Sequence, residues 1–485
     1  MSATRGVPAA SGTAPAAPSR RLGFRTLLAV DLWERFGFYG MAAVLILYLT
    51  AGEGDGGLGM APQTATAVFA AYMSLAFMAG LPGGWLTDRV LGMRAAVLLG
   101  GALIVTGYTV LTVPSRWALL PGLGLVVAGT GLVKPALAAL VAEVGGAGTR
   151  RREEAFSLFY VCIQISALVA PAVIGVAAEK VAWPLGFACA ALGMAVGAVQ
   201  FAAGLGRFGD VGTRPRHPIG GPELARVAGR AGLLLLVPAA VLAGAVGGGL
   251  VGLPAVLAVL GLATLALPFV YLRRLWRASG GTLRLRGFVA LMLASAVFWM
   301  LFSQSGSVLG IFAERHTDRT VAGLEAPASW FQSLHPLFVL LAAPLLARAW
   351  RRAGDRVNVA MKFSGALVVA GAGFALMSVA ASLSGAGPVS PLWLVAVYAL
   401  YSCGEIALAP AGLALAASVA PDGHTGRFLA VNGLFGAVGV VAGGQLFRLT
   451  KVMSMSHYFL LLGTFTLVVG LVVGAFSGRL QKMLP

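Results

Sequence analysis

Apolar runs of membrane-spanning length recur along the whole of this 485-residue chain. No other feature restricts the fold as much. About 20 consecutive apolar residues cross the hydrocarbon core of a bilayer as a helix. Inside that core the backbone must satisfy its own hydrogen bonds, so repeated runs of this length can only become a bundle of helices. Windows of roughly 19 residues place spans near 24–50, 63–87, 94–113, 116–143, 156–178 and 183–206. Two very apolar spans follow near 231–249 and 251–272, then six more near 285–313, 328–352, 357–383, 390–420, 425–448 and 456–478. The expected fold is an all-α membrane protein with two six-helix bundles and two inserted helices, about 14 transmembrane helices in all. Charged residues make up 11% of the chain, against about 25% in a soluble domain.

The expected divisions are a disordered cytoplasmic tail over 1–22, an N-terminal bundle over 23–207 and a cytoplasmic connector with the inserted pair over 208–283. A C-terminal bundle over 284–479 and a short cytoplasmic tail over 480–485 complete the chain. The first apolar run is too long and too charged for a cleavable signal peptide. The inserted pair has no ionisable side chain between Ala231 and Leu272, so it is expected at the lipid-facing periphery.

A net charge of +18 could point to nucleic acid, but the positions of the charges argue otherwise. Of the 35 Lys and Arg, 27 fall in one set of alternating loops and 6 in the other, leaving Arg35 and Lys134 in the membrane. This is the positive-inside bias, which puts both termini and the connector in the cytoplasm of a plasma-membrane protein. The partners expected are therefore the bilayer and a small substrate, with no nucleic acid and a monomeric state. Cys162, Cys189 and Cys403 all lie in apolar helices with no metal-ligand spacing, and read as small buried hydrophobes. No nucleotide-binding loop, metal cluster or nucleophile constellation is present, so an enzyme is not expected. No cofactor is expected either, a proton gradient being the energy source.

Within the first span stands Asp31-Leu32-Trp33-Glu34-Arg35-Phe36-Gly37-Phe38-Tyr39-Gly40. Positions 31, 34, 35 and 38 follow i, i+3, i+4, i+7 and share one helix face. Charges at membrane depth cost about 2.5–3.5 kcal/mol each on insertion scales. The three must therefore face one another or a polar interior, as a structural ion pair or as a proton and substrate site. In the fourth span, Gly129-Thr130-Gly131-Leu132-Val133-Lys134-Pro135 puts a lysine among apolar neighbours, where it needs a partner. In the tenth span of the six-plus-six scheme, Glu405 stands five residues before Pro410. Lys134 and Glu405, one in each half, suit the two ends of a zwitterion and equally suit a gating salt bridge. The turn Gly83-Gly84-Trp85-Leu86-Thr87-Asp88-Arg89-Val90-Leu91-Gly92-Met93-Arg94 resembles the loop signature of the major facilitator superfamily. There Asp88 is placed to pair with an arginine or a helix terminus.

Taken together, these residues resemble the proton-dependent oligopeptide transporter family of that superfamily. Its first-helix signature ExxERFxYYG is matched at Asp31–Gly40, its GTGxxKP run at Gly129–Pro135, and its FYxxINxG stretch at Phe159-Tyr160-Val161-Cys162-Ile163-Gln164-Ile165-Ser166. Phe298-Trp299 through Gln304, Ser333-Leu334-His335-Pro336-Leu337-Phe338 and Gly404-Glu405 through Gly412-Leu413 match in order. The resemblance implies the major facilitator fold and proton coupling through Asp31, Glu34 and Glu405. It implies a peptide carboxylate at Arg35 and Lys134 and an amino terminus at Glu405. Tyr39, Phe77, Tyr160, Gln164, Trp299 and His335 complete the implied substrate site, with Phe159 beside Tyr160.

The departures narrow the expected substrate. Asp31 is one methylene shorter than the family's glutamate, Ala42 replaces an arginine, and Phe38 and Phe77 replace tyrosines. Gln164 and His335 stand where asparagines are usual, Ala409 replaces a serine, and Ser303 precedes Gln304 where the family has a carboxylate. Fewer groups that hydrogen-bond a peptide backbone weaken discrimination for it. His335 before Pro336 reads first as a hydrogen-bonded structural side chain, with a proton relay as the alternative. Glu314, Arg315, His316, Asp318 and Arg319 close the seventh span as a solvated or gate-closing cluster. Three functions remain open: proton-coupled import of di- or tripeptides or peptide-like compounds, proton-driven export of a peptide-like or amphiphilic metabolite, and peptide sensing without transport. The retained Asp31, Glu34 and Glu405 weigh against sensing.

Overall fold

The computed structural model describes residues 17–144, 149–231, 283–321, 323–353, 357–420 and 425–484, with scattered positions between 252 and 273. Among them, twelve helices are long and apolar enough to cross a membrane. In the first half these are α1 (Leu22–Thr50), α2 (Pro62–Leu91), α3 (Met93–Leu111), α4 (Arg116–Val144), α5 (Leu158–Val181) and α6 (Trp183–Ala203). The second half holds α7 (Arg284–His316), α8 (Ala328–Arg352), α9 (Val359–Ala386), α10 (Leu392–Val419), α11 (Arg427–Lys451) and α12 (Met455–Ala475). The two six-helix bundles expected from the apolar runs are present. Of the inserted pair, the helix near 231–249 lies outside the described residues, and the one near 251–272 is described only in part. Its Phe269 ring meets Phe435 of α11 edge-on at 5.8 Å, so that part packs on the second half. The helix that becomes α1 starts at Ala17, inside the stretch expected to be tail.

The halves repeat one packing plan. In the first, α1 lies on α5 and α6, and α3 on α4 and α6; in the second, α7 lies on α11, and α9 on α10 and α12. Between the halves, α2 meets α11 and α5 meets α8. A bundle related in this way encloses a central space at the seam, where transport sites form.

Close helix approach requires residues without side chains, and the functional positions sit beside such contacts. A Cβ on Gly131 would lie 2.6 Å from the Ala79 carbonyl oxygen of α2, and one on Gly129 would lie 2.6 Å from Ile104 of α3. The GTG run thus lets α2 and α3 grip α4 one turn before Lys134. A Cβ on Gly404 would lie 2.9 Å from Phe298, which fixes α10 against α7 next to Glu405. Gly92, at φ +77°, ends the turn between α2 and α3.

That turn binds the start of the connector: Arg94 Nε donates to the Val211 carbonyl at 2.7 Å, and His217 N–H donates to the Asp88 carbonyl at 2.9 Å. The expectation for Asp88 is corrected here. Among the described residues its carboxylate has no ion-pair partner, and the backbone carbonyls of the connector take Arg94 instead.

The hydrogen bonds between halves gather in the part of the seam away from the termini. Glu179, at the end of α5, accepts the backbone N–H groups of Ala328 (2.7 Å) and Ser329 (3.0 Å) at the first turn of α8. Ser333 Oγ donates to Leu168 O at 2.7 Å, and Gln63 Nε2 to Thr450 Oγ1 at 3.0 Å. Lys180 Nζ lies 3.5 Å from Glu325, which Arg319 also holds beside a small hairpin of Thr320–Val321 and Leu324–Glu325. Of the cluster after α7, Arg319 reaches this contact through Glu325, while Glu314 and Arg315 pair with each other. Towards the other end Phe77 of α2, Leu345 of α8 and Leu413 of α10 are exposed, and Ser74 Oγ of α2 donates to Ala437 O of α11 at 3.2 Å.

Candidate functional site

The site lies at the seam between the halves, with one charged cluster in the first half and another in the second. On the first side, the shared helix face read from the sequence is realised. Asp31 and Glu34 are each 1% exposed, and Arg35 between them is 14% exposed. Arg35 Nε donates to Asp31 Oδ1 at 3.3 Å and lies 3.4 Å from Glu34 Oε2. One guanidinium does not satisfy two carboxylates: Asp31 Oδ2 and both Glu34 oxygens are buried without a hydrogen-bond partner. A buried acceptor left unmet costs about 1–3 kcal/mol, more when charged. The cluster therefore has spare capacity for a proton or a bound cation.

Lys134 completes this side, but not by joining the acids. Its Nζ sits over the Phe38 ring, 4.0 Å from the centroid, and among the described residues no carboxylate oxygen comes within 4.0 Å. A cation on an aromatic face is stabilised by about 0.5–2 kcal/mol, less than a carboxylate partner offers a desolvated ammonium. Phe38 thus seats the lysine, a contact that the sequence did not suggest.

On the second side, His335 Nε2 of α8 is hydrogen-bonded to Glu405 Oε2 of α10, with 16% and 15% of their side chains exposed. His335 is hydrogen-bonded, as its first reading expects, and its partner is a carboxylate next to the cavity. Glu405 is paired within its own half, so the gating salt bridge with Lys134 is not formed here. The imidazole is boxed by Phe302 (ring centroids 5.8 Å apart) and Tyr401 (5.1 Å). Neither of these was singled out in the sequence, because an aromatic residue in an apolar span reads as core until its neighbours are known.

Between the sides, Tyr39 lies one helical turn beyond Arg35 and senses the charges of both Arg35 and Glu405. It shares with His335, Phe69, Met73, Ser303 and Gln332 the lining of a cavity of about 70 Å³. Tyr160 is half-exposed and senses Glu405. Gln164 is buried, and Phe159 is sequestered in the core of the first half rather than exposed beside Tyr160. Phe77 and Trp299 meet across the seam at 6.3 Å and line a second recess of about 240 Å³, with Leu408, Ala409, Leu413 and Asn432.

At the position of the missing carboxylate, Ser303 Oγ donates to the Met300 carbonyl at 2.8 Å. Gln304 turns away to accept from Tyr458 of α12 at 2.9 Å. Sequence reasoning gave no sign of Glu179, since a glutamate at the end of an apolar run looks like any solvated charge.

Comparison with known proteins bears on this geometry. A family model described as the POT family matches residues 94–219 and 280–467. A peptide transporter of Yersinia enterocolitica is 32% identical over 443 residues, 87% of this chain and 86% of that one. A di-/tripeptide transporter of Lactococcus lactis subsp. cremoris is 28% identical over 483 residues, 95% of this chain and 96% of that one. Among solved structures, a peptide transporter POT in complex with sulfate superposes with a TM-score of 0.90 at 34% identity, over 95% of each chain.

Proposed function

The chain belongs to the POT family, and from that premise we propose that it imports di- or tripeptides or peptide-like compounds, coupled to protons, by alternating access. The observation that carries this reading is the pair of unlike charged clusters, one in each half, at the seam. Asp31, Glu34, Arg35 and Lys134 stand on one side, and His335 with Glu405 on the other. A zwitterion fits between them, its carboxylate on Lys134 and Arg35 and its ammonium on Glu405. Guanidinium forks a carboxylate, whereas an ammonium is a point charge able to change partners. Protonating Asp31 or Glu34 releases Arg35 to the substrate, which links proton movement to peptide movement. Tyr39, Phe77, Tyr160, Gln164 and Trp299 shape the space for the substrate body.

The protein works as a monomer in the plasma membrane, with both termini in the cytoplasm as the distribution of Lys and Arg requires. The bonded end of the seam then faces outward, and on this reading Glu179 and its partners form the outer gate. No cofactor takes part; the proton gradient supplies the energy. Export of an amphiphilic metabolite, which the apolar replacements had left open, gains no support from relatives named for peptides.

The experiment is uptake of labelled dialanine by purified protein in liposomes carrying an inward proton gradient. Accumulation that collapses with a protonophore is the expected result. Folded protein that accumulates nothing, under the same gradient, sinks the import reading.

A further inference from the structure

We infer that His335 is an internal occupant of Glu405, so that the compounds carried are those held chiefly through a carboxylate, with a free amino end adding little. This rests on the peptide reading above and narrows its substrate class. The two ends of a zwitterion meet unequal receptors. Its carboxylate meets Lys134, whose ammonium rests on the Phe38 ring and has no carboxylate within 4.0 Å among the described residues. Its ammonium meets Glu405, which His335 has already engaged.

Where the carboxylate is ionised it only accepts, and the imidazole Nε2 is then the donor. Charge-assisted bonds of this kind are about twice as strong as neutral ones. The occupant is also preorganised. Phe302 meets its ring edge-on at 88°, and Tyr401 packs on it at 5.1 Å. Ser402 Oγ donates to the His335 carbonyl at 3.2 Å. The groups facing the pair from neighbouring helices are Tyr401 on α10, Tyr39 on α1 and Tyr160 on α5. A substrate ammonium gains Glu405 only by breaking this bond, so most of what it offers is cancelled. An uncharged or blocked amino end forfeits little.

The test compares binding of dialanine and N-acetyl-dialanine, measured by titration of the purified full chain and of His335→Ala and His335→Asn. In the unmodified protein the two ligands should bind within about threefold of each other. In both variants dialanine should tighten about tenfold, the scale of one released charge-assisted bond, while N-acetyl-dialanine should change less than about twofold. Repeating His335→Ala in a Glu405→Gln background should erase the gain, because the two effects run through one contact. Equal tightening for both ligands, no change for either, or weaker dialanine binding overturns the inference. Failure of every form to bind dialanine overturns the peptide reading itself, and the inference with it.

Discussion

The two sides of the cavity satisfy their charges by opposite rules. On the first, acceptors outnumber donors: Arg35 serves two carboxylates, and three carboxylate oxygens are buried with no hydrogen bond. On the second, one imidazole meets one carboxylate and aromatic rings close around them. The first side gains when a proton arrives, because protonation removes a buried charge that costs several kcal/mol to leave unpaired. The second must give up an internal bond before it can take anything from the substrate. The cluster with unmet acceptors thus lies in one half and the self-paired one in the other.

The largest effect expected from disturbing this division is at Lys134. Lys134→Ala removes the ready cation, and initial uptake of dialanine should fall by a hundredfold or more, roughly the value of a desolvated charge contact. Uptake at the unmodified rate would take Lys134 out of the site. Next is Glu34→Gln, which keeps the shape of the first cluster but removes a proton acceptor. Gradient-driven accumulation should disappear while counterflow exchange retains at least about a tenth of its rate. Equal loss of both activities would make Glu34 a packing residue and break the contrast between the two sides. In the unmodified protein, accumulation should rise as external pH falls, since protons must reach Asp31 and Glu34 to release Arg35.

A smaller effect is expected at the outer gate, with both clusters left intact. Glu179→Gln replaces a carboxylate that accepts two N–H groups at the first turn of α8 with an amide that has one acceptor oxygen. The loss of roughly 1 kcal/mol should raise the outward-open population about fivefold, read from spin-label distances between the outer ends of α5 and α8. An unchanged distance distribution would show that Ser333, Gln63 and Lys180 hold the gate without it. The smallest effect is expected from Ser303→Glu, which adds an acid to the second side close to His335. If the two sides differ in proton capacity as described, the pH dependence of uptake should steepen with a change in maximal rate below about threefold. A superimposable pH profile would mean that the second side already contributes to proton coupling through another group.

Much of this molecule is legible in its sequence because the bilayer leaves few options. Apolar runs long enough to span it must become helices, so the six-plus-six arrangement follows from length and hydropathy alone. The shared face of Asp31, Glu34 and Arg35 follows from helical periodicity. Lys134 and Glu405 are conspicuous for the same reason: an ionisable group at membrane depth requires an explanation.

Other features depended on contacts between residues far apart in the chain. Whether Glu405 faced Lys134 or His335 turned on how α8 and α10 pack, and 70 residues separate the partners that bonded. The role of Phe38 as a seat for Lys134 joins α1 to α4. Glu179 bridges the halves because the first turn of α8, 149 residues away, came to rest on it. Phe302 and Tyr401 are ordinary aromatics until they close on one imidazole. Hydropathy and helical period are local properties, written residue by residue. The choice of partner for a charge is made by the packing of helices, and only the tertiary structure carries it.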